Sequence, residues 1–323
     1  MESQTLTAIE GLQVGHAQNL EGPTGCTVIL CPPNTVAGID QRGGAPGTRE
    51  TDLLRPMHLV QHVHAVLLAG GSAYGLNAAA GVMRYLEEHS IGFNVRVGVV
   101  PIVPAAIIFD LDVGNPTIRP DAAMGYTACT LATADPVTEG CVGAGTGARV
   151  GGMFGMEFAC KSGIGTAALE LDNGVRVAAL MVVNAVGDVV AENGQILAGV
   201  RQPPEGKSFV GSLKALRTLS NLTPTSNTVV GVVATNAQLT KEETNKIAQM
   251  AQDGLARAVR PAHTLMDGDT IFALATGSAG PANASLIGAY AAEITAQAIR
   301  RAVQMATPLA GLPVGSDFRQ SLE

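Results

Sequence analysis

The chain has 323 residues, 46% of them apolar and 15% charged, so it can bury a large core and is not expected to be disordered. A net charge of −7 and the lack of any basic run exclude a nucleic-acid partner, because phosphate binding needs clustered Lys and Arg. Apolar stretches such as 95–109 are too short and too broken by proline to span a bilayer.

Residues 1–5 carry neither a basic n-region nor an apolar h-region, so no signal peptide is expected. The five cysteines are odd in number and lack CxxC spacing, which reads as reduced thiols in a cytoplasmic protein. With 39 glycines, 3% aromatics and no Trp, backbones can approach closely in stacked layers. The weakly polar surface that such residues leave points to a homo-oligomer.

Residues 9–15 and 25–30 read as short strands, followed by a polar loop over 40–50. An apolar strand over 65–69 ends in Gly70-Gly71-Ser72, and a helix is predicted from Gly75 to near His89. Residues 167–171 and 175–183 flank Asp172-Asn173-Gly174, a type I′ hairpin signature. Further turns at Gly187-Asp188 and Asn193-Gly194 extend this into an antiparallel meander. Residues 201–227 read as an exposed connection, with Pro203, Pro204 and a Thr/Ser/Asn-rich run from Thr218. Thr228 then opens a β-branched run suited to a buried central strand. Thr240 and Glu243 form a capping box for a helix whose core face carries Ile247, Met250, Ala251, Leu255 and Ala258. A last helix is predicted over 285–305, and nothing splits the chain into two domains.

Ser226-Asn227-Thr228 lies where a polar loop meets the buried strand. A hydroxyl there can attack the preceding carbonyl in an N-to-O acyl shift, and hydrolysis of that ester frees Thr228 as a new N-terminus. Its α-amine, with a reference pKa of about 7.7–8.0, can then serve as general base for its own hydroxyl. An ordinary strand-starting Thr after a turn Asn is the commoner meaning of such a tripeptide. Asp267-Gly268-Asp269 can hold an ammonium and a hydroxyl in fixed geometry, or form a plain acidic turn. Asn184 closes an apolar strand as either a turn residue or an oxyanion donor, and Lys161 is either a surface charge or a polar site group.

Gly143-Ala144-Gly145-Thr146-Gly147-Ala148 fits a GxGxxA fingerprint, but Gly151, Gly152 and Gly155 break any following helix, so no nucleotide cofactor is expected. Gly71 and Ser72 read as a tight strand-to-helix turn whose N–H groups can line a substrate cleft. His58, His62 and His64 lack the Glu of HExxH, and structural histidines are favoured over a metal.

Seven blocks in order resemble the DmpA-type family of self-processing aminopeptidases. They are Gly22-Pro23-Thr24-Gly25, the stretch from Arg42 to Thr51, the stretch from Gly70 to Leu76, Gly143 to Gly147, Val183 to Gly187, Asn227-Thr228, and Met266 to Thr270. The family includes L-aminopeptidase/D-esterases, β-peptidyl aminopeptidases and NylC-type hydrolases of 6-aminohexanoate (nylon) oligomers. The resemblance implies an α/β fold, a layered αββα sandwich like that of ornithine acetyltransferases. It implies one catalytic domain over 1–323, cut into pieces 1–227 and 228–323 that assemble as a tetramer of αβ units.

By the family motif Thr228 is the nucleophile, Asn184 steadies the oxyanion, and Asp267 and Asp269 order the new amine and hydroxyl. The Asn-Thr junction and the Asp-Gly-Asp motif favour the NylC-like branch. Many relatives carry a Lys near the position of Gly151-Gly152, for which Lys161 is the stand-in here. Some have Tyr where this chain has Phe109, a substrate-side position. The expected activity is hydrolysis of peptide-like or oligoamide substrates without cofactor. The alternatives are acyl transfer of the ornithine-acetyltransferase kind and a non-catalytic oligomeric assembly protein.

Overall fold

The computed structural model describes residues 5–202, 206–217 and 227–318. Strands β1 (Gln13–Asn19), β2 (Thr24–Leu30), β4 (Thr48–Arg49), β5 (Ala65–Ala69) and β6 (Ala105–Ile107) form one sheet, in the order β1-β2-β5-β6-β4. Strands β3 (Val36–Gln41), β7 (Ile164–Glu170), β8 (Arg176–Asn184), β9 (Thr228–Thr235) and β10 (Thr270–Ala275) form a second, in the order β7-β8-β9-β10-β3.

Strand alternation sorts the side chains into layers. Ala178, Leu180, Val182, Val230, Val232 and Ala234 pack inward against Ile29, Val66 and Leu68 of the first sheet. Their neighbours Val177, Ala179, Met181, Val229 and Val233 pack outward against α3 (Lys241–Ala258) and α4 (Ala284–Gln304). On the far side, Val28, Leu67 and Ala69 meet α1 (Ala78–Glu88) and α2 (Ala122–Thr130). The result is the expected αββα sandwich. Small residues set the spacing: a Cβ at Gly81 would lie 1.8 Å from the Ala122 carbonyl oxygen, so α1 and α2 cross closely only because that residue is Gly.

Strand β9 is central, antiparallel to β8 and parallel to β10, with all eight residues buried. Each of its valines contributes about 1.5–3 kcal/mol on leaving water. The predicted capping box of α3 forms, with the Thr240 hydroxyl accepting from the Glu243 N–H and the Glu243 carboxylate accepting from the Thr240 N–H.

Several local expectations are corrected. The first strand begins at Gln13, after a 3₁₀ turn over Leu6–Ala8. Residues Ser72–Asn77 form a 3₁₀ turn ahead of α1, entered through Gly71 and Ser72 at φ of 78° and 53°. In the Asp172-Asn173-Gly174 loop only Gly174 has positive φ, and a type I′ turn needs two such residues. Gly174 N–H donates to the Leu171 carbonyl and Leu171 N–H to that of Val175, so the loop is the three-residue kind ending on a left-handed Gly. The meander is split after Asn184: Asp188–Val190 pairs with Ile196–Ala198 and Val259–Arg260 in a separate sheet. The stretch before Thr228 is more than an exposed connection, since Arg201 and Phe209 are buried and Ser212–Leu216 is helical. Pro203, Pro204 and residues 218–226 lie outside the described residues.

Candidate active site

Three strand ends meet at one end of the second sheet's inner strands. In the β8–β9 register Asn184, the last residue of β8, is paired with Thr228, the first of β9. Because β9 and β10 run parallel, the loop leading into β10 lies beside the same residue. Asn227 extends this pairing by a bridge to Asp267: its N–H donates to the Met266 carbonyl at 3.2 Å, and its own carbonyl accepts from the Gly268 N–H at 3.0 Å. Asn184, Asn227, Thr228, Asp267 and Asp269 are thus brought together, and all are buried.

The Thr228 hydroxyl donates to the Asn227 carbonyl oxygen at 2.5 Å. A Cβ at Gly268 would lie 2.8 Å from that hydroxyl oxygen, so the residue between the two aspartates has to be Gly. Asp269 accepts from the Val229 N–H at 2.9 Å through one oxygen. Its other oxygen accepts the His263 N–H and faces His263 Nδ1 at 2.9 Å. Asp267 accepts the N–H and hydroxyl of Thr264, at 2.9 and 2.6 Å. Burial, with the neighbouring charge of Asp269, lifts the Asp267 carboxyl to about 6 against the pull of Thr264.

The Asn184 amide is fixed at both ends. Its oxygen accepts from the Arg149 N–H at 3.0 Å, and its nitrogen donates to the Phe109 carbonyl at 2.9 Å. An amide nitrogen carries two hydrogens, so a second donor is available. Phe109 takes part here through its backbone.

Arg149 is a site residue that the sequence did not single out. Its guanidinium is buried, donates from Nη1 to Asn227 Oδ1 at 3.0 Å, and pairs with Asp112 through Nε and Nη2. A Cβ at Gly152 would lie 2.2 Å from Arg149 Nη1, so the guanidinium fills the space of a side chain at position 152. Lys161, the expected stand-in there, is fully buried elsewhere. Its ammonium donates to the carbonyls of Gly145, Ala148 and Ser162 at 3.1, 2.6 and 2.5 Å, and burial holds its pKa down to about 8. Those bonds use all three ammonium hydrogens, and its strand residue pairs with Arg149. It braces the glycine loop from behind.

Gly71 and Ser72 donate their N–H groups inward, to Asp110 Oδ1 at 2.6 Å and to the Ile108 carbonyl at 3.0 Å. Asp110 also accepts the Thr24 hydroxyl at 2.7 Å, and burial lifts its carboxyl to about 6. A Cβ at Gly70 or Gly147 would fall 2.1 or 2.4 Å from Asp110 Oδ2. Three glycine-containing blocks therefore close around this one carboxylate. The signal in the sequence was an acid ending an apolar run at 107–109, as Arg149 was a lone cation among glycines. His62 and His64 line a different cavity with Cys31 and Phe93. Among the described residues, no group of three or more His, Cys, Asp or Glu is placed to hold a metal ion.

The fold is that of the N-terminal-nucleophile hydrolases, and the protein is an amide hydrolase of the peptidase kind. Residues 4–314 match Peptidase family S58, and the chain belongs to that family. It is 46% identical to an uncharacterized aminopeptidase of Mycobacterium tuberculosis, over 97% of each chain. It is 32% identical to the 6-aminohexanoate-oligomer endohydrolase of a Kocuria species, over 91% of this chain and 84% of that one. Among solved structures, the L-aminopeptidase D-Ala-esterase/amidase of Ochrobactrum anthropi, described as a variant of the Ntn-hydrolase fold, superposes with a TM-score of 0.73 at 17% identity, covering 96% and 88% of the two chains. A Burkholderia β-aminopeptidase gives 0.71 at 23%, covering 97% and 90%. These two likenesses concern the fold.

Proposed function

We propose that the chain cuts itself between Asn227 and Thr228, and that the freed Thr228 hydrolyses peptide-like amides or linear 6-aminohexanoate oligomers through an acyl-enzyme. The observation that carries this reading is the Thr228 hydroxyl, 2.5 Å from the carbonyl oxygen of the residue before it. The Gly268 N–H, 3.0 Å from the same oxygen, is the donor in place when negative charge develops there. In the cut enzyme the Thr228 amine takes the hydroxyl proton, Asp267 and Asp269 hold that amine, and the second N–H of Asn184 meets the oxyanion. Lys161 is a positioning residue that acts through the Gly145–Ala148 loop.

The products are one piece of residues 1–227 and one of 228–323, together forming a single catalytic unit. These units assemble into homo-oligomers that cover exposed apolar side chains, of which Met57, Leu59 and Val97 are 97%, 80% and 95% exposed. A cytoplasmic location fits the five unpaired cysteines, and among the described residues no helix is long and apolar enough to cross a membrane. Mass spectrometry of the purified protein tests the reading. Two species, the smaller beginning at Thr228, are expected. An intact chain with full amidase activity overturns it.

A further inference from the structure

We infer that the acyl side of this site is shaped for an α-aminoacyl unit with a short carboxamide side chain, read by Arg149. The inference rests on the reading of Thr228 given above. In the self-cleavage step the Thr228 Oγ–carbonyl bond forms, the Asn227–Thr228 C–N bond breaks, and the hydroxyl proton ends on the departing amine. The resulting ester carries Asn227 as its acyl group on Thr228 Oγ. A substrate's acyl-enzyme is the same species with another acyl group, formed on the same oxygen, and water releases both. The first acyl group the site handles is therefore an asparaginyl unit.

Three polar groups of that unit have partners in the site. The Asn227 nitrogen donates to the Met266 carbonyl at 3.2 Å, where a substrate's α-amine would stand. The carbonyl accepts from Gly268 N–H at 3.0 Å. The side-chain oxygen accepts from Arg149 Nη1 at 3.0 Å, and both residues are about 1% exposed. Asp112 engages Nε and Nη2, so it balances the guanidinium charge and leaves Nη1 directed at the acyl side chain. For a substrate carbonyl to reach Thr228, the Asn227 carbonyl has to vacate its position and takes its side chain with it. Nη1 is then a buried donor that has lost this acceptor, and leaving a buried donor unsatisfied is costly. A carboxamide side chain one methylene from Cα restores the bond. A leucyl side chain fills the space without restoring it, and a 6-aminohexanoyl chain has no side chain to offer and carries its amine too far along.

The test uses the processed wild-type enzyme and four 4-nitroanilides: asparaginyl, leucyl, alanyl and 6-aminohexanoyl. A kcat/KM for the asparaginyl substrate about tenfold above the leucyl one is expected, the worth of one hydrogen bond to a charged donor. In Arg149→Met the asparaginyl-to-leucyl ratio should fall to about one. A processed wild-type enzyme that ranks leucyl or 6-aminohexanoyl at or above asparaginyl overturns the subsite while leaving the Thr228 mechanism standing. A ratio that survives in Arg149→Met overturns the subsite equally. If that variant fails to fold, the wild-type ranking decides alone. An uncut chain that hydrolyses none of the four overturns both readings.

Discussion

Asn184 and Thr228 sit directly opposite one another where two antiparallel strands end and begin, buried at one end of the second sheet's inner strands. This pairing puts an amide donor beside a hydroxyl that already touches the carbonyl it would attack.

Removing that hydroxyl should stop everything downstream of it. Thr228→Ala is expected to accumulate as one full-length species with no amidase activity, while Thr228→Ser keeps both activities at a reduced rate. Denaturing electrophoresis and a chromogenic amide assay read the two outcomes. Cleavage in the alanine variant would place the reacting group elsewhere.

Gly268 is the tightest steric point of the site. Gly268→Ala brings a methyl to 2.8 Å from both Thr228 Oγ1 and the Ala45 carbonyl oxygen, so one of them has to shift. A displacement near 1 Å costs on the order of 10²-fold in rate. Self-cleavage slowed by about that factor, with an unfolding midpoint only a few degrees lower, is expected. Time courses of cleavage in freshly refolded protein would show it, and an unchanged rate would remove the steric argument.

The acid limb of activity should carry two groups, the Thr228 amine, which has to be neutral to act as base, and below it Asp267. Its carboxyl, raised to about 6 by burial and by Asp269, has to ionise before it can hold an ammonium group, so kcat/KM rises through about pH 6. Thr264→Val deletes the 2.6 Å hydroxyl bond that favours the carboxylate, so the lower part of the limb moves to higher pH. A pH–rate profile identical in the two enzymes would assign that part of the limb to another group.

Asp110 gives a stability signature of defined sign. Its folded pKa of about 6 lies above the ordinary 3.8, so between these values the folded chain binds more protons than the unfolded one. The contribution of this group to stability is therefore greatest near pH 4 and is lost as pH rises through about 6. Against Asp110→Asn, which cannot titrate, the wild type should lose on the order of 3 kcal/mol over that window, two pKa units at about 1.4 kcal/mol each. Urea unfolding of both proteins at pH 4 and pH 6.5 measures the difference, and parallel curves would contradict it.

What could be seen in the sequence divides along physical lines. The run after Thr228 is β-branched and wholly apolar, so its burial on both faces was legible. The Asp-Gly-Asp block and Asn184 were legible because each interrupts an apolar strand at its end, where a polar group needs a reason. Arg149 and Asp110 were not singled out. Neither lies in a pattern that marks it, Asp110 having only Asp112 near it, and each takes on meaning only when loops dozens of residues away close around it. Position 152 shows the limit most directly, because the cation beside it reaches across from three residues earlier. The Asp172-Asn173-Gly174 turn was legible as a turn, yet the geometry that distinguishes its two forms depends on one φ angle and the flanking hydrogen bonds.

The strand order has a consequence for the protein's life after the proposed cut. Residues 228–323 supply β9 and β10, while the earlier part of the chain supplies β8 on one flank and β3 on the other, with eight and six paired residues respectively. The two products of the proposed cut would be dovetailed, the later piece held in the sheet between strands of the earlier one. Scission at one peptide bond should leave a nicked particle that dilution cannot separate, and two independently made halves would have to zip together through an already formed core.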